Sequence, residues 1–198
     1  MRTQKRCRAL FRTLAILGAL PGVSFGGVVD RVALVVGKTV FTQSEVDDET
    51  RLSEMEANKP LDLSAAQRKA AAERLVDQQL LRDEMTVNGF QMPQVDGDAL
   101  LRGFRQEHFS SPALYRAALT RYGVTEDALK QHLVWQATLL QFTDQRFKPL
   151  IGSGEQAVNR VEGEGAQPAT DTVDQEMETW LKQQRASTRI VFKPEAFQ

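Results

Sequence analysis

TEDALKQHLVWQATLLQFTDQRFK, Thr125 to Lys148, carries its large apolar residues at helical spacing. At about 100° per residue, Ala128, Leu129, Leu133, Trp135, Leu139, Leu140, Phe142 and Phe147 fall within roughly half the circumference. Asp127, Lys130, Asp144, Gln145 and Lys148 gather on the other side. This pattern predicts a core helix. Gly123 suits the left-handed residue that closes a preceding helix, Thr125 can cap the new one, and Pro149 is expected to end it. So wide an apolar face needs several partners, and the remaining segments are expected to supply them.

The segments before it read as two short strands and four helices. Val28 to Val36 is rich in β-branched residues, and a turn at Gly37-Lys38 leads into Thr39-Val40-Phe41, which predicts a hairpin. Thr42-Gln43-Ser44-Glu45 has the capping-box pattern, in which hydroxyl and carboxylate each satisfy one unpaired backbone N–H, and the helix it opens should run to about Ala57. Ser64-Ala65-Ala66-Gln67 is a second such box, before a long helix closing at Gly89. In that helix Ala72, Leu75, Val76, Leu80 and Val87 form one stripe, while Leu81 and Met85 lie opposite, as in a helix sandwiched between neighbours. A weaker helix spans Val95 to about His108, with Leu100, Leu101 and Phe104. Ser111 as cap and Pro112 at the first helical position open the next, which carries Leu114, Tyr115 and Leu119.

After Pro149 the composition changes. Ile151 to Thr170 is rich in glycine and nearly free of large apolar residues, which predicts a flexible connection. Thr172-Val173-Asp174-Gln175 can form another capping box, and Val173, Met177, Trp180, Leu181 and Gln184 keep one helical face. In Thr188 to Lys193, Ile190 and Phe192 alternate with Arg189 and Val191 as in a strand, whose only available partner is the N-terminal hairpin. The expected fold class is mainly α with a small sheet made by that hairpin and the C-terminal strand.

The first residues read as an address. Arg2, Lys5, Arg6, Arg8 and Arg12 precede the apolar run Thr13 to Leu20, followed by Pro21 and small residues, the layout of a secretory signal peptide. Cleavage is expected after Gly26 or after Ser24. No later segment approaches the roughly 20 apolar residues of a membrane span, so stable insertion after cleavage is not expected. Removal of those five cations lowers Lys and Arg from 25 to 20 against an unchanged 26 Asp and Glu, a net charge of about −6, which argues against a nucleic-acid partner. Cys7, the single cysteine, leaves with the signal, so packing rather than a disulfide must hold the product together. The expected division is a signal peptide at 1–26, a helical core with its hairpin at 27–150, a connection at 151–170, and a C-terminal helix and strand at 171–198 that pack back on the core.

Catalytic patterns are weak. His108 and His132 lie on different helices without zinc spacing, and His132 is expected at a core edge. No GxSxG or phosphate-binding glycine loop is present, and Glu73, Asp77 and Glu84 read as a solvated helix face rather than an acid–base pair. Neither a catalytic site, a metal nor a cofactor is therefore expected. Aromatic and methionine residues offer the other candidate chemistry. Met85, Phe90, Phe104, Phe109, Tyr115 and Trp135 are the candidate peptide-binding set, with Phe142, Trp180, Met92 and Met177 as further members of the same class. The competing role for each is ordinary core packing.

Three segments in order resemble one family. Val29-Asp30-Arg31-Val32-Ala33-Leu34-Val35-Val36 with Gly37-Lys38-Thr39-Val40-Phe41-Thr42-Gln43-Ser44-Glu45-Val46 is similar to the opening of the mature SurA-type periplasmic chaperones. Tyr122-Gly123-Val124-Thr125-Glu126-Asp127-Ala128-Leu129 resembles the start of that family's long fourth helix, and Trp180 to Ser187 with Ile190-Val191 resembles its C-terminal helix and strand. The resemblance implies a periplasmic, ATP-independent chaperone module that binds extended segments of unfolded outer-membrane proteins. It departs from most relatives in one respect: the interval Ile151 to Thr170 has no room for the parvulin-type prolyl isomerase domain they carry there, a unit of about a hundred residues. Binding without isomerisation is the resulting expectation. The alternative is a non-catalytic docking subunit on the same fold.

Overall fold

The computed structural model describes residues 30–153 and 169–198, and their side chains over 30–147 and 173–198. The signal-peptide reading of 1–26 and most of the 151–170 connection lie outside the described residues. In order, the elements are β1 (Val32–Val36), β2 (Thr39–Thr42), α1 (Gln43–Glu56), α2 (Ala65–Val87), α3 (Gly97–His108), α4 (Pro112–Tyr122), α5 (Glu126–Ser153), α6 (Ala169–Ser187) and β3 (Ile190–Phe192), then a single 3-10 turn at Pro194–Ala196. This is a mainly α fold with one small antiparallel sheet, in the order β2-β1-β3.

Strand β1 is central because both of its edges find partners. The hairpin pairs Leu34 with Phe41 and Val36 with Thr39, and a bulge near Ala33 shifts the register. On the other edge, Leu34 pairs with Phe192 and Val36 with Ile190. Gly37 takes φ +59 in the hairpin turn, and its N–H donates to the Arg189 carbonyl at 2.9 Å, which ties the turn to β3 as well. The terminal strand is thus joined to the N-terminal hairpin as its alternation requires.

The local signals hold at several helix ends. Thr42 and Glu45 form the reciprocal capping box at the start of α1. Ser111 caps α4 with Pro112 in its first turn, and Gly123 closes it at φ +66. Thr125 Oγ1 accepts the Ala128 N–H at 3.1 Å at the start of α5. At α2 only the serine half of the expected box forms, with Ser64 Oγ accepting from the Gln67 N–H and Asp62 holding Ser64 in turn.

Other expectations are corrected. Helix α5 runs to Ser153, past Pro149; a proline removes one N–H and crowds one carbonyl, and a long helix keeps its remaining cooperative bonds. Helix α6 already begins at Ala169, so Thr172 lies inside it rather than at its start. Val87, at the last turn of α2, is 82% exposed, and Leu140 on α5 is 66% exposed. Val87 has passed the end of the sheet-facing layer, and the apolar stripe of α5 is wider than its packed neighbours cover. Leu114, in the first turn of α4, is exposed too.

The core has three parts. Ala33, Leu34 and Val36 of the sheet pack on Ala72, Val76 and Leu80 of α2, with Trp180, Leu181 and Phe192 closing over them. Met55 of α1 meets Leu101 and Phe104 of α3, Tyr115 and Tyr122 of α4, and Leu129 of α5 in a second cluster. The other side of α2, Leu81 and Met85, joins Trp135 and Phe142 of α5 in the third, again with Trp180 and Leu181 against it. Helix α2 is therefore sandwiched as its two-sided pattern predicts, and α6 bridges the first and third clusters.

Candidate peptide-binding site

Where α1, α2, α5 and α6 converge they leave a groove of about 320 Å³. Its floor comes from residues one helical turn apart on their elements: Trp135 and Leu139 on α5, Met177 and Leu181 on α6, and Leu81 on α2. Leu81 is available to the groove because α2 packs its opposite face, Ala72, Val76 and Leu80, on the sheet. The rim is polar. Glu49, Ser53 and Glu56 share one face of α1, and Arg74, Asp77 and Gln78 line the facing edge of α2.

Most of the rim charges are paired. Arg74 Nε donates to Glu49 Oε1 at 2.9 Å and its Nη2 to Ser53 Oγ at 2.7 Å, while Gln78 donates to Glu49 Oε2 at 3.3 Å. Glu49 is buried, so these bonds are what permit its charge there. Asp77 accepts from Arg185 Nε at 2.7 Å, and Glu73, one turn earlier, takes the Arg185 Nη1 at 2.5 Å. Glu84 accepts from Arg146 Nε at 2.9 Å. The carboxylates Glu73, Asp77 and Glu84 thus serve as interhelical ion pairs. Arg82 stacks its guanidinium 3.9 Å from the centre of the Trp135 ring.

A small polar bridge forms one wall. Glu56 Oε2 lies 3.2 Å from His132 Nε2 and accepts from Gln136 Nε2 at 2.8 Å. The hydrogen bond to His132, helped by the one from Gln136, holds the Glu56 carboxyl below its ordinary range against the opposing effect of burial. His132 sits at a core edge, with its side chain 9% exposed. Beyond the bridge, α3 and α5 enclose a second, wider hollow of about 460 Å³, with Leu100, Phe104, Leu133 and Leu140 as its apolar surface. Glu56 and Gln136 line both hollows.

The six candidate residues are not brought into one place. Met85, Phe90 and Trp135 belong to the third cluster, where Phe90 meets Phe142 edge-on at 5.1 Å. Of these, Trp135 lines the central groove and is 9% exposed, whereas Met85 is core. Phe104, Phe109 and Tyr115 belong to the second cluster, with ring centroids 6.0 Å apart for the first pair and 5.4 Å for the second. Phe104 borders the α3–α5 hollow, while Phe109 and Tyr115 line a separate depression of about 310 Å³ at the start of α4. Tyr115 is only 3% exposed; burial raises its phenol above the ordinary value against the Arg105 guanidinium beside it, an electrostatic contact in which neither Tyr115 Oη nor Arg105 Nε makes a hydrogen bond of good geometry.

Sequence reasoning named Trp135 and Met177 of the floor but missed Leu81, Leu139 and Leu181 as groove residues, and it missed the Glu56 bridge. The spacing of His132 and Gln136, and of Trp135 and Leu139, was the available signal for faces on α5; their partners on α1 and α6 lie far away in the chain. Among the described residues, no group of three or more His, Cys, Asp or Glu is arranged to hold a metal ion, and no helix is long and apolar enough to cross a membrane. An apolar floor with a hydrogen-bonding rim suits an extended peptide, whose side chains can enter the floor while its backbone meets the rim. The sequence matches no family model, and no curated protein matches it either.

Proposed function

We propose that this chain is a periplasmic, ATP-independent chaperone that holds extended segments of unfolded outer-membrane proteins without isomerising their prolines. The observation that carries the reading is the groove between α1, α2, α5 and α6, with Leu81, Trp135, Leu139, Met177 and Leu181 beneath a polar rim. Apolar contact in such a groove needs neither a nucleotide nor a cofactor. Two further features support the reading. The N-terminal hairpin, long helix and C-terminal helix and strand follow one another as the SurA-type resemblance implies, and β3 closes on β1. Export rests on the cationic and apolar layout of the first 26 residues.

Affinity for any one segment should be moderate, about 8 kcal/mol for a micromolar complex, so that a client can leave for a site of deeper burial. The test pairs two measurements on the processed protein. Light scattering of a diluted, unfolded outer-membrane protein should fall at near-stoichiometric ratios, and cis-to-trans exchange of a proline peptide should stay at its uncatalysed rate. Unchanged client aggregation would favour the docking-subunit reading, and accelerated exchange would overturn binding without isomerisation.

A further inference from the structure

The carboxylates that line the two hollows on either side of the Glu56 bridge differ from one another in their charge accounting. Glu49 is neutralised by Arg74, and Asp77 by Arg185. Glu56 has no such permanent cation beside it: its partners are a histidine and a glutamine, and both bonds fall on Oε2. Its Oε1 accepts no bond among the described residues. Glu107, on the wall of the α3–α5 hollow, likewise has no ion-pair partner there. The ridge between the two hollows therefore carries a carboxylate whose neighbouring titratable groups, His132 at 3.2 Å and His108 on the wall of the α3–α5 hollow, are histidines rather than permanent cations, and that carboxylate lines both sides.

We propose that a bound polypeptide segment crosses this ridge with a lysine or arginine anchored on Glu56 Oε1, and places an apolar side chain in the hollow on either side. The inference rests on the groove reading above and names the class of segment it selects. An extended chain turns alternate side chains to one face, spaced by about 6.6–6.8 Å for every second residue. A cation with apolar residues two positions before and two after it thus presents all three side chains to the protein together. The cation completes the charge balance at Glu56, while the flanks take the floor of Trp135 and Leu139 on one side and the surface of Leu133 and Leu140 on the other. A glutamate at the centre of the same segment meets the Glu56 carboxylate instead.

Fluorescently labelled short peptides with leucine two residues to either side of a central lysine, methionine or glutamate test this by anisotropy against the intact processed chain. Lysine at the centre should bind about fivefold more tightly than glutamate at low salt, with methionine between them, and the spread should shrink as salt screens the pair. Glu56→Gln should bring the three peptides together, and binding of the methionine peptide should persist. Equal binding of all three by the wild-type protein would overturn the charge anchor while leaving the groove reading in place. Failure of every peptide to bind would overturn the groove reading, and the anchor with it. A spread that survives Glu56→Gln would place the anchor elsewhere and refute this assignment; because the wild-type series needs no variant, a poorly folded Glu56→Gln protein would not shield the proposal.

Discussion

Replacing Arg185 with alanine should weaken the attachment of α6 to α2 while Trp180 and Leu181 keep their apolar contacts. The guanidinium makes three bonds there: to Asp77 Oδ1 at 2.7 Å, to Glu73 Oε2 at 2.5 Å and to the Glu73 carbonyl at 3.0 Å. The three side chains are each about one-third exposed, at 32%, 33% and 37%. Fully buried charge-assisted bonds are worth about 1.5–3 kcal/mol and open surface pairs about 0–1 kcal/mol, so about 1 kcal/mol per ion pair is a fair intermediate value. Asp77 and Glu73, one turn apart on α2, would also be left repelling each other at a cost of a few tenths of a kcal/mol. The expected loss is about 2 kcal/mol, a fall in Tm of about 4–8 °C for a chain of this size. Urea and thermal denaturation followed by far-ultraviolet circular dichroism measure it directly. Adding Asp77→Asn to the alanine variant should recover about 0.5 kcal/mol by removing the repulsion. A loss below about 0.5 kcal/mol would refute the reasoning, because it would mean that the clamp contributes no more than an open surface pair.

Thr42→Ala removes the hydroxyl half of the α1 capping box and should cost about 1 kcal/mol in urea denaturation, with Glu45 still able to accept from the backbone N–H of residue 42. Tyr115→Phe should change stability by less than about 1 kcal/mol in the same assay, because the buried hydroxyl it deletes makes no well-formed hydrogen bond and only an electrostatic contact with Arg105. The Glu56 carboxyl is held below its ordinary value of 4.5, so its contribution is present above that pH and is lost as pH falls through the lower, folded-state value. Stability curves of wild type and Glu56→Gln should therefore be separated at neutral pH and converge in the acid range below 4.5, whereas a gap that stays constant there would exclude the linkage.

Much of the fold was legible because its signals are local. Thr42 with Glu45, Ser111 with Pro112, and Gly123 each specify a backbone geometry through neighbours a few residues away, and each takes that geometry. The alternation of Ile190 and Phe192 announced a strand, and the scarcity of other strands left it one partner. Face width was harder to read. Leu140 and Val87 fit their helical stripes, but how much of a stripe is covered depends on where neighbouring helices end, which no periodicity reports. The candidate site was legible in part: Trp135 lies in the groove, whereas Met85 is spent in the core and Phe109 and Tyr115 line another depression. Aromatic content alone does not separate a groove from a core, since both bury apolar area. The Glu56–His132 bridge joins residues 76 positions apart, so only the packing of α1 against α5 could reveal it.

Whether the groove itself holds clients is tested most directly by site-specific photo-crosslinking. A photoreactive side chain at Met177, on the groove floor, is compared with one at Val87, an apolar position of α2 that is far more exposed. Each protein is mixed with an unfolded outer-membrane protein and illuminated. Crosslinks concentrated at Met177, and competed away by excess unlabelled client, are the predicted result. Equal or stronger crosslinking at Val87 would contradict it, because contact would then follow exposed apolar surface rather than the groove.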